Sequence, residues 1–373
     1  MGAAPIIVMA VAYFRLPQFA ELVTLPEFRG SFTEHFLMMA LSVVVGVVGV
    51  HSINSLRREA FVAKQLGQYR LKRMLGSGGM GEVYLAEHQM MKRPCAIKII
   101  RPEKAGDPKV LARFEREVRA TAKLSHWNSI DIYDYGRTED GTFYYVMEFL
   151  PGHNIGELVN AHGPLPAARI IHLMRQVCDA LAEAHEQGLI HRDIKPANIY
   201  CAYRGGLFDV AKLLDFGLAK PIADTTDSGL TQEGAITGSP LYMSPEQATG
   251  GDAIDARSDV YSLGAVMYFM ATGRPPFAHA SAIKVLVAHA AEDPGPPRML
   301  RPELPPAREE AILRCLEKRP DDRFQSAGEL RAALEAIETD ETWSSQIACQ
   351  WWRDFGCPQR KALAEEAAEM AAV

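Results

Sequence analysis

Within one short stretch, residues 190–199, the chain sets His191, Arg192, Asp193, Lys195 and Asn198. A solvated loop can hold such side chains without purpose. A loop that handles a proton, a phosphate and a metal ion needs them in a fixed order. Two further groups point the same way. "LGSGGMGEV" (75–83) carries Gly76, Gly78 and Gly81 in the spacing G-x-G-x-x-G. Alone this is a weak signal, since glycines so spaced often mark only a turn. Yet the bare backbone N–H groups of a glycine hairpin can fold over phosphates, because no Cβ keeps the ligand away. Downstream, Lys98 lies among Ala96, Ile97, Ile99 and Ile100. A charge in an apolar strand needs a partner. Glu117 and nucleotide phosphates would meet that need; a lysine snorkelling from an edge strand is the plainer alternative.

The elements that must position these residues are legible from periodicity. From Tyr69, "YRLKRMLGSGGMGEVYLAEH" alternates apolar and polar residues about the glycines, as a hairpin does. A dinucleotide-binding motif would open a helix there, but Val83, Tyr84 and Leu85 continue a strand. "RPCAIKII" (93–100) and "TFYYVMEFL" (142–150) read as further strands. Residues 107–125 have helical spacing through Val110, Leu111, Phe114, Val118 and Ala122. After Pro151 and Gly152 the character turns helical, with an amphipathic helix over 166–188 ended by glycine and a buried one over 257–273. A small strand-rich lobe therefore precedes a larger helical one.

Asp193 and Asn198 form D-x-x-x-x-N, and "LDFGLAK" places Asp215 seventeen residues further on. In order the chain shows a glycine loop, a strand lysine, a helix glutamate, H-R-D-x-K-x-x-N, D-F-G and "SPE". Together these closely resemble the eukaryotic-type (Hanks-type) serine/threonine protein kinase family, over about residues 69–337. The resemblance implies an α+β, bilobal kinase fold: a β-rich N-lobe (69–147), a hinge (148–152) and a helical C-lobe (153–337). It implies ATP and Mg²⁺ as cofactors and protein serines and threonines as substrates. Asp193 then resembles the catalytic aspartate that orients the substrate hydroxyl, and Lys195 the lysine that steadies the transferring phosphoryl. Asn198 and Asp215 would offer hard oxygens to Mg²⁺. Leu75, Gly76, Ser77, Gly78, Gly79, Met80 and Gly81 would form the nucleotide loop. Val83 and Ala96 would cover the adenine, Met147 would stand as gatekeeper, and Tyr200 would line the floor, where leucine is usual. The hinge backbone at Glu148 and Leu150 would face the adenine edge. His191 would be a packing element, Arg192 a receiver for an activation-segment phosphate. Glu246 with Arg323, and Asp259, would be structural. Thr231, then Thr225 and Thr226, are the expected phosphosites, with Ser239 left unmodified.

The family pattern is broken at Trp127 and Ser129, where a proline and an apolar residue are usual, and by a longer stretch between Asn198 and Asp215 that suits a hairpin extension. The resemblance leaves open a silent pseudokinase that binds nucleotide and scaffolds partners, against which the complete polar set argues.

Composition bounds the remaining questions. Net charge is −6, so bulk attraction to nucleic acid is not expected. The six cysteines show no C-x-x-C spacing and read as reduced thiols of a cytosolic domain. Residues 36–53, "FLMMALSVVVGVVGVHSI", carry no acid, lysine or arginine and match the length of a bilayer span. Arg57, Arg58, Lys64, Arg70, Lys72 and Arg73 follow, which places the downstream side in the cytoplasm. The reading is thus 1–35 outside, a single transmembrane helix at 36–53 anchoring the chain in the membrane, a linker at 54–68, then the kinase domain. A second short span at 4–14, a soluble chain with a buried N-terminal helix, and a homodimer for trans-autophosphorylation stay open. Beyond the pattern, residues 338–373 form a tail. Trp343, Ile347 and Trp351 share one helical face there, as a helix docked on the large lobe, or one that binds a partner, would show.

Overall fold

The computed structural model describes residues 37, 38, 41, 45, 65–78, 81–100, 115, 118–138, 141–216, 240–250, 254–338 and 342–356. The chain divides into two compact units, Met1–Leu66 and Gly67–Val373. In the first, Leu37, Met38, Leu41 and Val45 are helical and exposed. The expected span at 36–53 otherwise lies outside the described residues, as does 4–14. Among the described residues no helix is long and apolar enough to cross a membrane.

The second unit begins with antiparallel strands β1 (Tyr69–Ser77), β2 (Gly81–His88), β3 (Pro94–Ile100), β4 (Ile132–Arg137) and β5 (Phe143–Glu148), in the sheet order β1-β2-β3-β5-β4. The glycines do join two strands: Ser77 faces Glu82 across the β1–β2 ladder, and Gly76 faces Val83. Gly81 is required by space, because a Cβ there would lie 1.9 Å from the Ile99 carbonyl oxygen on β3. Of the helix expected over 107–125, Glu115 and residues 118–121 are described and are helical. Glu117 lies outside the described residues.

A second, three-stranded sheet follows: β6 (Gly152–Asn154), β7 (Ile199–Arg204) and β8 (Leu207–Leu213), in the order β6-β7-β8. β7 and β8 are the expected hairpin extension. Its turn is Gly205–Gly206, with φ of 57° and 84° that favour glycine. The helices are α1 (Ile155–His162), α2 (Ala167–Glu186), α3 (Pro245–Thr249), α4 (Ala256–Thr272), α5 (Ala282–Ala291), α6 (Pro306–Cys315), α7 (Ala327–Ala336) and α8 (Ser345–Phe355). α1 starts in a capping box, Asn154 with Glu157, and α3 in another, Ser244 with Gln247. α4 is buried around most of its circumference, as its apolar sequence predicts. Gly264 lets α6 approach it, since a Cβ there would come within 2.4 Å of Cys315 Cβ. Each fully buried Leu, Met or Val side chain in this core contributes about 1.5–3 kcal/mol.

The tail helix docks as expected, with Trp343 and Trp351 turned to the large lobe, but Ile347 is not part of the contact. Trp343 precedes the N-cap Ser344, and Ile347 is 43% exposed. The inward side is Ala348, Trp351 and Trp352, packed on the large core. Its seat is the fully buried pair Arg169–Asp209, joining α2 to β8. Asp209 accepts from Arg169 Nε and Nη2, both at 2.8 Å, from Trp343 Nε1 at 2.9 Å and from Trp352 Nε1 at 2.7 Å. The Arg169 guanidinium lies 3.9 Å from the Trp351 ring centre and 4.9 Å from that of Trp343. Indole N–H groups satisfy the acid and indole faces cover the cation, which offsets part of the pair's desolvation cost.

Candidate active site

Asp193, Lys195 and Asn198 lie on the loop between α2 and β7, with Asn198 closing a 3₁₀ turn. Lys195 Nζ donates to Asp193 Oδ2 at 2.7 Å. Asn198 Nδ2 donates to the Asp193 carbonyl at 2.8 Å and to Asp193 Oδ2 at 3.1 Å. The loop is braced from below by Asp259 on α4, which is 1% exposed. Its carboxylate accepts from the backbone N–H of His191 at 2.8 Å and of Arg192 at 2.9 Å. Gln247 on α3 adds a bond to the Arg192 carbonyl at 2.8 Å. These bonds hold Arg192 at φ 63°, left-handed for a non-glycine residue. His191 is buried, and burial pushes its imidazole pKa down despite nearby acids. Its Nδ1 accepts from the Asp193 N–H at 3.2 Å, so Nε2 is the protonated nitrogen that donates to the Leu214 carbonyl at 2.9 Å. A neutral ring with both nitrogens engaged, packed 4.7 Å from Phe216, is a strut rather than a base.

Asp215 meets this loop from the segment after β8. It accepts from Lys98 Nζ at 2.6 Å through Oδ2 and from the Tyr145 hydroxyl at 2.6 Å through Oδ1. Burial opposes ionisation of Asp215, but the Lys98 ammonium and the Tyr145 hydroxyl outweigh it and hold the carboxyl below its usual range. The snorkelling reading of Lys98 is excluded: the residue is 8% exposed and paired across the site. Tyr145 was not singled out from sequence. The available signal was register, since β5 places Tyr145 directly opposite Lys98 on β3.

Among the described residues no group of three or more His, Cys, Asp or Glu could cage a metal. The donors present are the Asp215 carboxylate and the Asn198 amide oxygen, whose Nδ2 is committed to Asp193. So few hard oxygens suit Mg²⁺, which would complete its shell with waters and substrate phosphates.

The apolar residues expected to line an adenine slot do come together. Leu75, Val83 and Tyr200, each partly exposed, pack against a cluster containing Ala96, Met147, Leu150 and Tyr145. The Tyr200 hydroxyl donates to the Gly152 carbonyl at 3.1 Å, which turns the phenol's polar end away from the slot. Gly76 and Gly78 have open space where a Cβ would stand, and Gly78 N–H bonds to the Gly81 carbonyl at 2.9 Å to close the hairpin. Gly79, Met80 and the segment 217–239, with Thr225, Thr226, Thr231 and Ser239, lie outside the described residues.

At the hinge the Glu148 N–H is spent on the Asp131 carbonyl at 3.0 Å, so Glu148 offers no donor to a ligand. Its carboxylate pairs with Lys212 at 2.6 Å and with Arg204. Trp127 stacks on Arg204, 4.3 Å from ring centre to guanidinium. Trp127 and the β7–β8 extension therefore belong together, bracing the hinge from behind. Behind α3, Glu246 takes Arg323 in two bonds of 2.9 and 3.0 Å, the expected ion pair.

The chain belongs to the protein kinase family: the protein kinase domain matches residues 69–334. Its match to bacterial serine/threonine kinases is close. It is 40% identical over 287 residues to the serine/threonine-protein kinase pkn3 of Myxococcus xanthus, covering 76% of this chain and 52% of that protein. It is 42% identical over 270 residues to the serine/threonine-protein kinase PknB of Mycolicibacterium smegmatis, covering 72% and 42%. Among solved structures, the Mycobacterium tuberculosis PknI kinase domain superposes with a TM-score of 0.59 at 28% identity, covering 74% of this chain and 98% of that one. The chain spans about half or less of the length of these curated relatives.

Proposed function

We propose that this chain is an active serine/threonine protein kinase that transfers the γ-phosphoryl of ATP to protein hydroxyls. The observation that carries this reading is the Asp193–Lys195–Asn198 constellation facing the Lys98–Asp215 pair. Asp193 orients the incoming hydroxyl and takes its proton, while Lys195 offsets the charge growing on the transferred group. Lys98 and the glycine hairpin hold the nucleotide phosphates. Asn198 and Asp215 would hold Mg²⁺, which would supply charge neutralisation for the phosphates. The rest is positioning: the hydroxyl and the phosphate are held in line, in a site walled by apolar residues.

The chain is further proposed to be membrane-anchored through 36–53, with the kinase domain cytoplasmic. Support comes from the apolar run, the basic residues that follow it, and the helical, exposed Leu37, Met38, Leu41 and Val45. Autophosphorylation between Thr225 and Thr231, in trans between two copies, is the proposed means of activation. The test is transfer of labelled γ-phosphate by the full chain, with Mg²⁺, to itself and to a generic basic substrate. Wild type should label serine or threonine, and mass spectrometry should place phosphate within 225–231. An Asp193→Asn control should not label. Absence of transfer by wild type would favour a nucleotide-binding scaffold.

A further inference from the structure

Asp215 is held by two donors of different kinds. Lys98 is a point charge on a flexible stem, and a nucleotide's phosphates compete for it. Tyr145 is a rigid phenol, 1% exposed, fixed in the sheet across from Lys98. Nothing in an arriving nucleotide draws a neutral, buried hydroxyl away. Asp215 itself sits at φ 56°, a left-handed conformation that a non-glycine residue keeps only when its surroundings hold it.

We propose that Tyr145 is a positioning residue for phosphoryl transfer: its hydroxyl keeps Asp215 Oδ1, so that Oδ2 is presented to the cation when Lys98 turns to the phosphates. The inference rests on the kinase reading and deepens it. The geometry is selective, since Lys98 engages Oδ2 and Tyr145 engages Oδ1, each at 2.6 Å. Leaving Lys98 frees the oxygen the metal needs, while the other stays anchored.

The experiment is calorimetric titration of the full chain with ADP, at stepped Mg²⁺ concentrations and in EDTA, for wild type, Tyr145→Phe and Tyr144→Phe. Tyr144 is the neighbour whose side chain takes the opposite face of β5. Tyr145→Phe should bind ADP in EDTA within twofold of wild type. Its half-saturating Mg²⁺ should rise about tenfold, the scale of one hydrogen bond to a charged group. Tyr144→Phe should match wild type in both. Thermal melting of each variant accompanies the titrations, and Tyr145→Phe should melt within a few degrees of wild type. An unchanged Mg²⁺ midpoint overturns the proposal. So does an equal loss of ADP affinity with and without Mg²⁺, or collapse of the fold, since either makes Tyr145 a core strut only. Wild type that binds ADP with no Mg²⁺ dependence would instead sink the kinase reading, and this inference with it.

Discussion

Asp193 and Lys98 both sit at the site, yet their loss should read differently. Lys195 and Asn198 hold the Asp193 carboxylate, and on the kinase reading proposed above it would meet the attacking hydroxyl. An interaction made only as the hydroxyl attacks appears in kcat, not in nucleotide binding. Asp193→Asn should therefore lower kcat by at least about a thousandfold, with ADP affinity within about threefold of wild type. On that reading Lys98→Met removes a phosphate partner, and among the described residues it leaves Tyr145 as the hydrogen-bond donor to Asp215. Turnover should vanish and nucleotide affinity should fall as well. Turnover and calorimetric titration of both variants check the contrast; a large loss of binding in Asp193→Asn with unchanged turnover would reverse the assignment.

At the scale of elements, α8 is part of the kinase domain's packing although it lies beyond the residues that match the family. Trp352 stacks on His153 of β6, ring centres 5.5 Å apart, and β6 begins where the hinge ends. Removing the helix together with Trp343 ahead of it would strip two N–H donors from the buried Asp209 and uncover the Arg169 guanidinium. Partial loss of packing and of one bond in Trp352→Ala should cost about 2–3 kcal/mol. Melting temperature should fall by roughly 5 °C or more. A chain stopped at residue 338 should lose more than that, and its ADP affinity should drop because β6 loses its cover. Differential scanning fluorimetry with and without ADP measures both effects. A truncated chain that melts with wild type would show the seat to be incidental.

For the molecule as a whole, buried histidines set the acid limit. Burial lowers the His289 pKa from the usual 6.5 to about 4, and His191 moves the same way. Between those values the unfolded chain takes up protons that the fold refuses, so stability rises with pH across the window. His289 alone contributes stability that is full above about pH 6.5 and is lost as pH falls toward 4, on the order of 2 kcal/mol by pH 5. Melting temperature should fall between pH 7.5 and 5.0, and less steeply in His289→Gln, provided that variant folds at pH 7.5. An equal slope in the two proteins would remove His289 as the cause. Fractionation addresses the anchor: the chain should stay with membranes after carbonate washing, and release into the supernatant would defeat the span at 36–53.

What the sequence determined by itself was local. Asp193 to Asn198 is a single loop, and its roles depend on spacing within a few residues. α4 announces its burial by a run of apolar residues. The two lobes were legible because a period of two and a period of 3.6 differ within a dozen residues. What tertiary structure decided was which distant side chains share a charge. The Tyr145 hydroxyl meets an acid 70 positions away, and Asp209 gathers indole donors 134 and 143 positions away. Trp127, read as a deviation in a turn, turned out to cover Arg204 behind the hinge. No local pattern encodes such pairs. A buried charge must find partners wherever packing brings them, and packing is a property of the whole core.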